Sequence, residues 1–187
     1  MTHDEEKRLV QAAKSDPQVF GQLFDAYYPK IFSYIYRRVL DVELAKDISS
    51  GTFFKAFKHL GTFRWKGIPI SSWLYRIAGN EIRYYFRHKR SDVRYFSDFM
   101  QEHGYDWIDA QTREAEKNAA EQEIEKYQDF LHIQSRLKLL PGKYQEVLAL
   151  KYFEDKSIKD ICEILGKKEG TVKSLLSRGL EKLRKAL

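Results

Sequence analysis

Residues 157–187, SIKDICEILGKKEGTVKSLLSRGLEKLRKAL, decide how this chain is read. Ser157 with Asp160 three residues on has the spacing of a capping box, which predicts a helix start. Ile158, Ile161, Cys162 and Leu165 then recur at helical spacing, and Gly166 ends the run. After Lys167-Lys168 a second helix, over about 169–186, gathers Val172, Leu176, Gly179, Leu180, Leu183 and Leu187 on one face. Gly170, Lys173, Ser174, Ser177, Arg178 and Glu181 occupy the other. Two short helices across a glycine-containing turn, the second basic on its outer face, make the helix-turn-helix pattern. Such a helix meets base edges from its N-terminal half, and small residues between cations let the backbone approach the groove. An ordinary helical hairpin would share the apolar pattern, but cap, turn and polar face together favour the helix-turn-helix. Cys162 reads as a core thiol.

Upstream of this pair the same period holds, and no stretch shows the sustained alternation of a strand. Helical patterns cover about 143–154 and, before Pro141-Gly142, Phe130 to Leu140. At the N-terminus, Thr2 and Glu5 fit a capping box ahead of Leu9, Ala12 and Ala13. Ser15-Asp16-Pro17 opens a helix with Phe20, Leu23, Phe24 and Tyr27 inward. Pro29 is expected to kink or restart it before Ile31, Ile35 and Val39. Asp41 can cap the next helix, with Leu44, Ile48, Phe53, Phe57 and Leu60 inward and Gly61 at its end. GTFRWKGIPI, 61–70, reads as a loop, and Ser71 can cap a helix to about Lys89. Residues 113–126 look helical but very polar, as suits a connector. The fold class is all-α, two small helical domains joined by a flexible linker: 1–95, an acidic linker 96–129, and 130–187.

The helix at 71–90 carries the second chemical signal. At 100° per residue, Leu74, Ile77, Ala78, Ile82 and Tyr85 share one arc of about 140°. Arg76, Asn80, Arg83 and Arg87, spaced four, three and four, fall within about 60° on the opposite side. Trp73 and Tyr84 border that stripe. Duplex phosphates call for cations at repeated spacing, which the planar Arg fork suits. Unpaired bases call for flat aromatic surfaces. Both on one helix point to a protein that holds DNA while its strands separate, against the bland alternative of a solvated face.

The charge distribution agrees. The formal net charge is only +6. Residues 61–95 nevertheless hold eight Lys or Arg against two acids, and 166–187 hold seven against two. Residues 96–136 between them hold ten acids against four bases. That pattern suggests two anion-binding modules and a connector that avoids the anion, beside the plainer reading of solvated helix faces. A single cysteine excludes an intramolecular disulfide and a multi-thiolate zinc site, and the five histidines lack ligand spacing. No metal or cofactor is expected. No apolar run approaches a membrane span and MTHDEEKR is not a signal peptide, so a cytoplasmic protein without membrane insertion is expected.

With both motifs read, the sequence resembles the extracytoplasmic-function sigma factors of the sigma-70 family, which join the second and fourth sigma regions by a linker. FGQLFDAYYPKIFSYIYRRV, LAKDISSGTFFKAFKHL and FRWKGIPISSWLYRIAGNEIRYYFRHKR are similar to the second region, and LPGKYQEVLALKYFEDKSIKDICEILGKKEGTVKSLLSRGLEKLRKAL to the fourth. The resemblance spans about 5–95 and 130–187. It implies an alternative sigma factor, not an enzyme, that binds core RNA polymerase and directs initiation at promoters. Asp47, Ile48, Phe53 and Phe54 would contact the polymerase. Arg64, Trp65, Lys66, Trp73, Arg76, Asn80, Arg83, Tyr84 and Arg87 would recognise and open the −10 element as single strand, with the loop 63–71 and Asn80 forming the pocket for a flipped base. Lys151, Gly170, Thr171, Lys173, Ser174, Ser177 and Arg178 would read the −35 element as duplex. The resemblance also implies an anti-sigma factor as partner and one copy of the chain per holoenzyme. Departures from the family pattern are Lys46, Ser50, Gly51, Lys156, Leu175 and Gly179. Leu175 replaces an expected arginine, and Gly179 in place of alanine costs a helix about 1 kcal/mol.

Two other functions compete. A helix-turn-helix regulator with a sensing N-terminal part would explain 137–187 but not the Trp73, Asn80 and arginine stripe. A recombinase or nuclease would want clustered carboxylates or a Ser or Tyr nucleophile in a strand-built domain, and neither is apparent.

Overall fold

A computed structural model describes residues 3–65, 68–88, 133 and 136–186. The expected connector helix at 113–126, the linker 96–129, and Lys66, Lys89 and Arg90 lie outside those residues. Every described element is helical. Helices α1 (His3–Ala13), α2 (Pro17–Val39), α3 (Val42–His59) and α4 (Ile70–His88) form an N-terminal bundle, with a 3-10 turn at Leu60–Thr62. Helices α5 (Gly142–Leu148), α6 (Ile158–Leu165) and α7 (Glu169–Ala186) form the C-terminal module. No described helix is long and apolar enough to cross a membrane.

Local chemistry sets the boundaries. Asp16 accepts the Gln18 N–H ahead of Pro17 in the first turn of α2, and Asp41 accepts the Leu44 N–H at the start of α3, each relieving an orphan donor. Ser157 and Asp160 form the predicted capping box of α6. Gly166 closes α6 in the left-handed conformation at φ 62, with its N–H on the Cys162 carbonyl. Cys162 is partly buried against the core, and desolvation pushes its thiol up, as befits an inert core position.

Four expectations need correction. Pro29 does not restart α2, which runs unbroken from Pro17 to Val39. Leu23 before it and Ile31 and Ile35 after it are all buried, and that shared face outweighs the lost hydrogen bond. The helix expected over 143–154 is α-helical only to Leu148 and widens into a π turn over Ala149–Phe153, where the Glu154 N–H reaches the Ala149 carbonyl at 3.1 Å. Ala12, Phe57 and Leu180 are exposed rather than inward, while Val10 and Ile164 are buried instead. Phe57 packs edge-on against Phe20, with ring centroids 5.1 Å apart. Finally, α4 starts at Ile70, and the Ile70 N–H is taken by Glu6 of α1 at 3.1 Å rather than by Ser71.

Two close approaches shape the packing. A Cβ on Gly179 would stand 3.2 Å from Leu148 Cδ1, so the glycine lets α7 lie tight on α5, offsetting its helix cost. Gly79 of α4 is tighter still, because a Cβ there would stand 2.5 Å from Glu146 Oε1 of α5. That second approach is between the two modules. They are packed together, with a polar seam between α2 and α4 on one side and α5, the π turn and α6 on the other.

Candidate nucleic-acid interface

The first site is the outer face of α4 and the loop before it. Glu6 is buried among apolar neighbours and accepts both the Ile70 N–H and the Tyr27 hydroxyl, the latter at 2.5 Å. Burial raises the Tyr27 phenol above its usual range and the Glu6 hydrogen bond adds to this, so the hydroxyl stays a donor. A carboxylate on a helix N-terminus is favourable twice, through the orphan N–H and the helix dipole. Glu6 and Tyr27 thereby fix where α4 begins, a role that local sequence reading misses because the partners are 64 and 21 residues apart.

From that start the helix turns as predicted. Leu74, Ala78 and Ile82 are buried, Ile77 and Tyr85 are half-buried, and Arg76, Asn80, Arg83 and Arg87 are exposed. Trp73 is partly buried against Phe63, ring centroids 5.0 Å apart, and Phe63 meets Trp65 edge-on at 6.3 Å. Lys14 Nζ donates to the Phe63 carbonyl at 2.7 Å and ties the loop to the end of α1. The loop thus holds Trp65 and Trp73 in one aromatic cluster beside exposed Arg64, at the N-terminal end of the arginine row. Tyr84 lies exposed at the other end, with Lys55 Nζ 5.8 Å from its ring centroid.

The arginine row is not left open to solvent. Arg83 donates to Asn80 Oδ1 and to Glu146 of α5. Arg76 donates through Nε to the Ile164 carbonyl at 3.1 Å and also to the Glu163 carbonyl, so its guanidinium caps the C-terminus of α6. The expectation of a freely presented stripe is therefore corrected for Arg76 and Arg83. Alongside, Arg37 of α2 donates to Glu154 Oε1 at 3.0 Å, and Tyr75 donates to Glu154 Oε2 at 2.6 Å. Arg38, 3% exposed, bonds Tyr34 at 2.9 Å and pairs with Glu146 at 3.7 Å. Burial pushes the Tyr34 phenol up to about 12, so it remains protonated beside that pair.

The second site is the outer face of α7. Gly170, Thr171, Lys173, Ser174, Ser177 and Arg178 are all exposed, while Val172, Leu176 and Gly179 are buried beneath them. Leu175 is half-buried and packs on the core, as its position flanking the apolar stripe predicts. Lys173 pairs with Glu169 at 2.6 Å. Lys151 lies on another element, the π turn, where it reaches the Lys156 carbonyl at 3.4 Å.

The third group divides. Asp47 is exposed and Phe54 is 67% exposed, but Phe53 is 3% exposed and meets Phe24 edge-on, ring centroids 4.8 Å apart. Ile48 is buried as the floor of a shallow groove whose walls include Asp47, Glu81 and Tyr84. Phe53 is therefore packed in the core between α2 and α3, whereas Ile48 shows only a small part of its side chain, in the groove between α3 and α4.

A helical bundle bearing an arginine row with aromatic borders, followed by a helix-turn-helix, defines a two-module DNA-binding protein. The sequence comparisons place it more finely. Residues 23–91 match the model of Sigma-70 region 2 and residues 131–183 that of Sigma-70 region 4. The chain is 34% identical to the ECF RNA polymerase sigma factor SigW of Bacillus subtilis, over 97% of this chain and 95% of that one. It is 30% identical to the RNA polymerase sigma-H factor of Pseudomonas aeruginosa, over 100% and 96%. The fold is also that of the sigma factor RpoE solved with the anti-sigma factor NepR from Bartonella quintana, with TM-score 0.65, 22% identity, and 89% and 95% of the chains covered. The chain belongs to the ECF RNA polymerase sigma factors of the sigma-70 family, and its function is promoter-specific transcription initiation as an alternative sigma factor.

Proposed function

We propose that the two exposed faces divide promoter reading between them. The observation that carries this is the row Arg76, Asn80, Arg83 and Arg87 on one face of α4, next to the cluster of Trp65 and Trp73. Its cations suit backbone phosphates and its aromatic ends suit unstacked bases, so α4 and the loop before it take the −10 element as single strand. Asn80 offers an amide edge at the centre of the row, suited to a base taken out of the stack. The face of α7 takes the −35 element as duplex, through Lys173, Ser174, Ser177 and Arg178 over a backbone kept low by Gly170. Asp47 and Phe54 form the exposed part of the polymerase-binding surface on α3.

In this reading residues 1–95 are one functional domain, 130–187 the other, and 96–129 the acidic linker. The matched ranges 23–91 and 131–183 fall inside those bounds. The protein acts as a cytoplasmic specificity factor without chemistry of its own, one copy per holoenzyme. An anti-sigma factor is a further partner in this reading, supported by the relative solved with NepR.

Asn80→Ala tests the assignment. Holoenzyme reconstituted with this variant is expected to bind core polymerase as wild type does but to open promoters poorly, read by the reactivity of unpaired −10 thymines. Equal loss of core binding and opening would show a folding defect instead, and undiminished opening would remove Asn80 from the pocket.

A further inference from the structure

Helix α1 lies before the range matched to region 2, which begins at residue 23, yet side chains from it and its exit turn reach both ends of the segment that carries Trp65. The buried stripe of α1 is Glu6, Val10 and Ala13, spaced four and three, so a carboxylate occupies a core position. A buried carboxylate costs stability unless donors meet it, and an apolar side chain there would seal α1 onto the bundle without that cost. The donors that Glu6 meets are the Ile70 N–H at 3.1 Å, where α4 begins, and the Tyr27 hydroxyl at 2.5 Å.

The other end of the segment is held from the exit of the same helix. After Ala13 the chain turns at once, the Ser15 N–H reaching the Ala12 carbonyl at 3.0 Å. Lys14 stands in that turn and donates to the Phe63 carbonyl at 2.7 Å, while the Phe63 N–H closes the 3-10 turn on the Leu60 carbonyl at 3.0 Å. Both backbone polar groups of Phe63 are thereby engaged. Its ring, with centroids 6.3 Å from Trp65 and 5.0 Å from Trp73, passes that hold to the two tryptophans.

We infer that Glu6 and Lys14 are positioning residues for the −10 element, a two-point clamp that sets Trp65 and Trp73 in place before the strand arrives; this rests on the proposed assignment of that aromatic cluster to unstacked bases. A segment fixed at both ends meets its ordering cost during folding, so less of the interaction with DNA is lost to ordering. Neither residue has to touch DNA for this. Glu6 is 6% exposed and is closed off beneath the helix start, and the Lys14 ammonium is engaged by a backbone carbonyl. Tyr27 completes the Glu6 end, because its raised phenol keeps the hydroxyl a donor to the carboxylate.

Lys14→Met isolates the clamp, because it keeps an apolar stem at a half-buried position and withdraws only the donor. Holoenzyme reconstituted with the full-length variant is compared with wild type on a promoter mapped for it. Core binding and protection of the −35 element are expected to be unchanged. Opening at −10, read by the reactivity of unpaired thymines, is expected to fall roughly tenfold, the equivalent of about 1.4 kcal/mol. The slope of promoter affinity against salt is expected to stay as it is, since no phosphate contact is lost. Glu6→Leu, which keeps the buried volume and deletes the acceptor, is expected to lower opening at least as far. Glu6→Gln, whose amide oxygen still accepts both bonds, is expected to restore most of it. Opening by the Lys14→Met holoenzyme as good as wild type overturns the clamp. So does a salt slope reduced by about 1, which would make Lys14 a phosphate contact instead. If holoenzyme with Trp65 and Trp73 both changed to Ala opens promoters as well as wild type, the −10 assignment of the cluster itself has failed.

Discussion

Phe53→Ala is expected to destabilise the N-terminal bundle by about 3–5 kcal/mol, the range for emptying a buried aromatic site. Phe53 lies between α2 and α3, 3% exposed, with Phe24 at 4.8 Å and Tyr28 at 5.9 Å between ring centroids. The two rings left, Phe24 and Tyr28, cannot close over the hole without leaving their rotamers, so most of the cavity should persist. Its neighbour Phe54 is 67% exposed, and Phe54→Ala should change stability by no more than about 0.5 kcal/mol. The contrast is read by urea denaturation followed by circular dichroism. On the proposed assignment Phe54→Ala weakens association with core polymerase while the fold is intact. Similar stability losses for the two variants would show that the bundle is packed otherwise than described.

Arg178→Ala is expected to weaken holoenzyme binding to the upstream element by about 1–3 kcal/mol, the cost of one lost base contact. That is roughly a fivefold to 150-fold loss of affinity. Arg178 is exposed on α7, one residue before buried Gly179, so the cation stands where the helix lies tight on α5. It is also the cation of that face nearest the place where Leu175 has replaced an expected arginine, which leaves the face with few long donors. Binding is compared on the mapped promoter and on one with the −35 element scrambled. The loss should appear on the first and vanish on the second. An equal loss on both would make Arg178 a phosphate contact, and no loss on either would remove it from the interface.

What was legible in the sequence was whatever depends on neighbours along the chain. Asp41, Ser157 with Asp160, and Gly166 act within four residues of themselves, and all three boundaries lie where the residues say. The stripe on α4 was equally readable, because helical period alone assigns Leu74, Ile82, Arg76 and Arg83 to opposite sides. Three things were not. The N-terminal seat of α4 depends on Glu6, which in sequence reads as one of several solvated acids in the first turn of α1. Phe53 and Phe54 differ by a single 100° step, and only the position of α2 decides which of them is covered. The docking of the two modules depends on Glu146 and Glu154, ordinary polar residues within a helical pattern. Their significance lies wholly in the arginines opposite them, more than 60 residues away in the chain.

On the proposed assignment, this chain reads promoters as part of a polymerase and not by itself. A footprint on one mapped promoter fragment tests it most directly, comparing the protein alone, core polymerase alone, and the two together. Protection of both the −35 and −10 elements, with reactive unpaired bases at −10, is expected only when protein and core are combined. Specific protection of the duplex by the protein alone, or a combination that initiates no better than core, would contradict it.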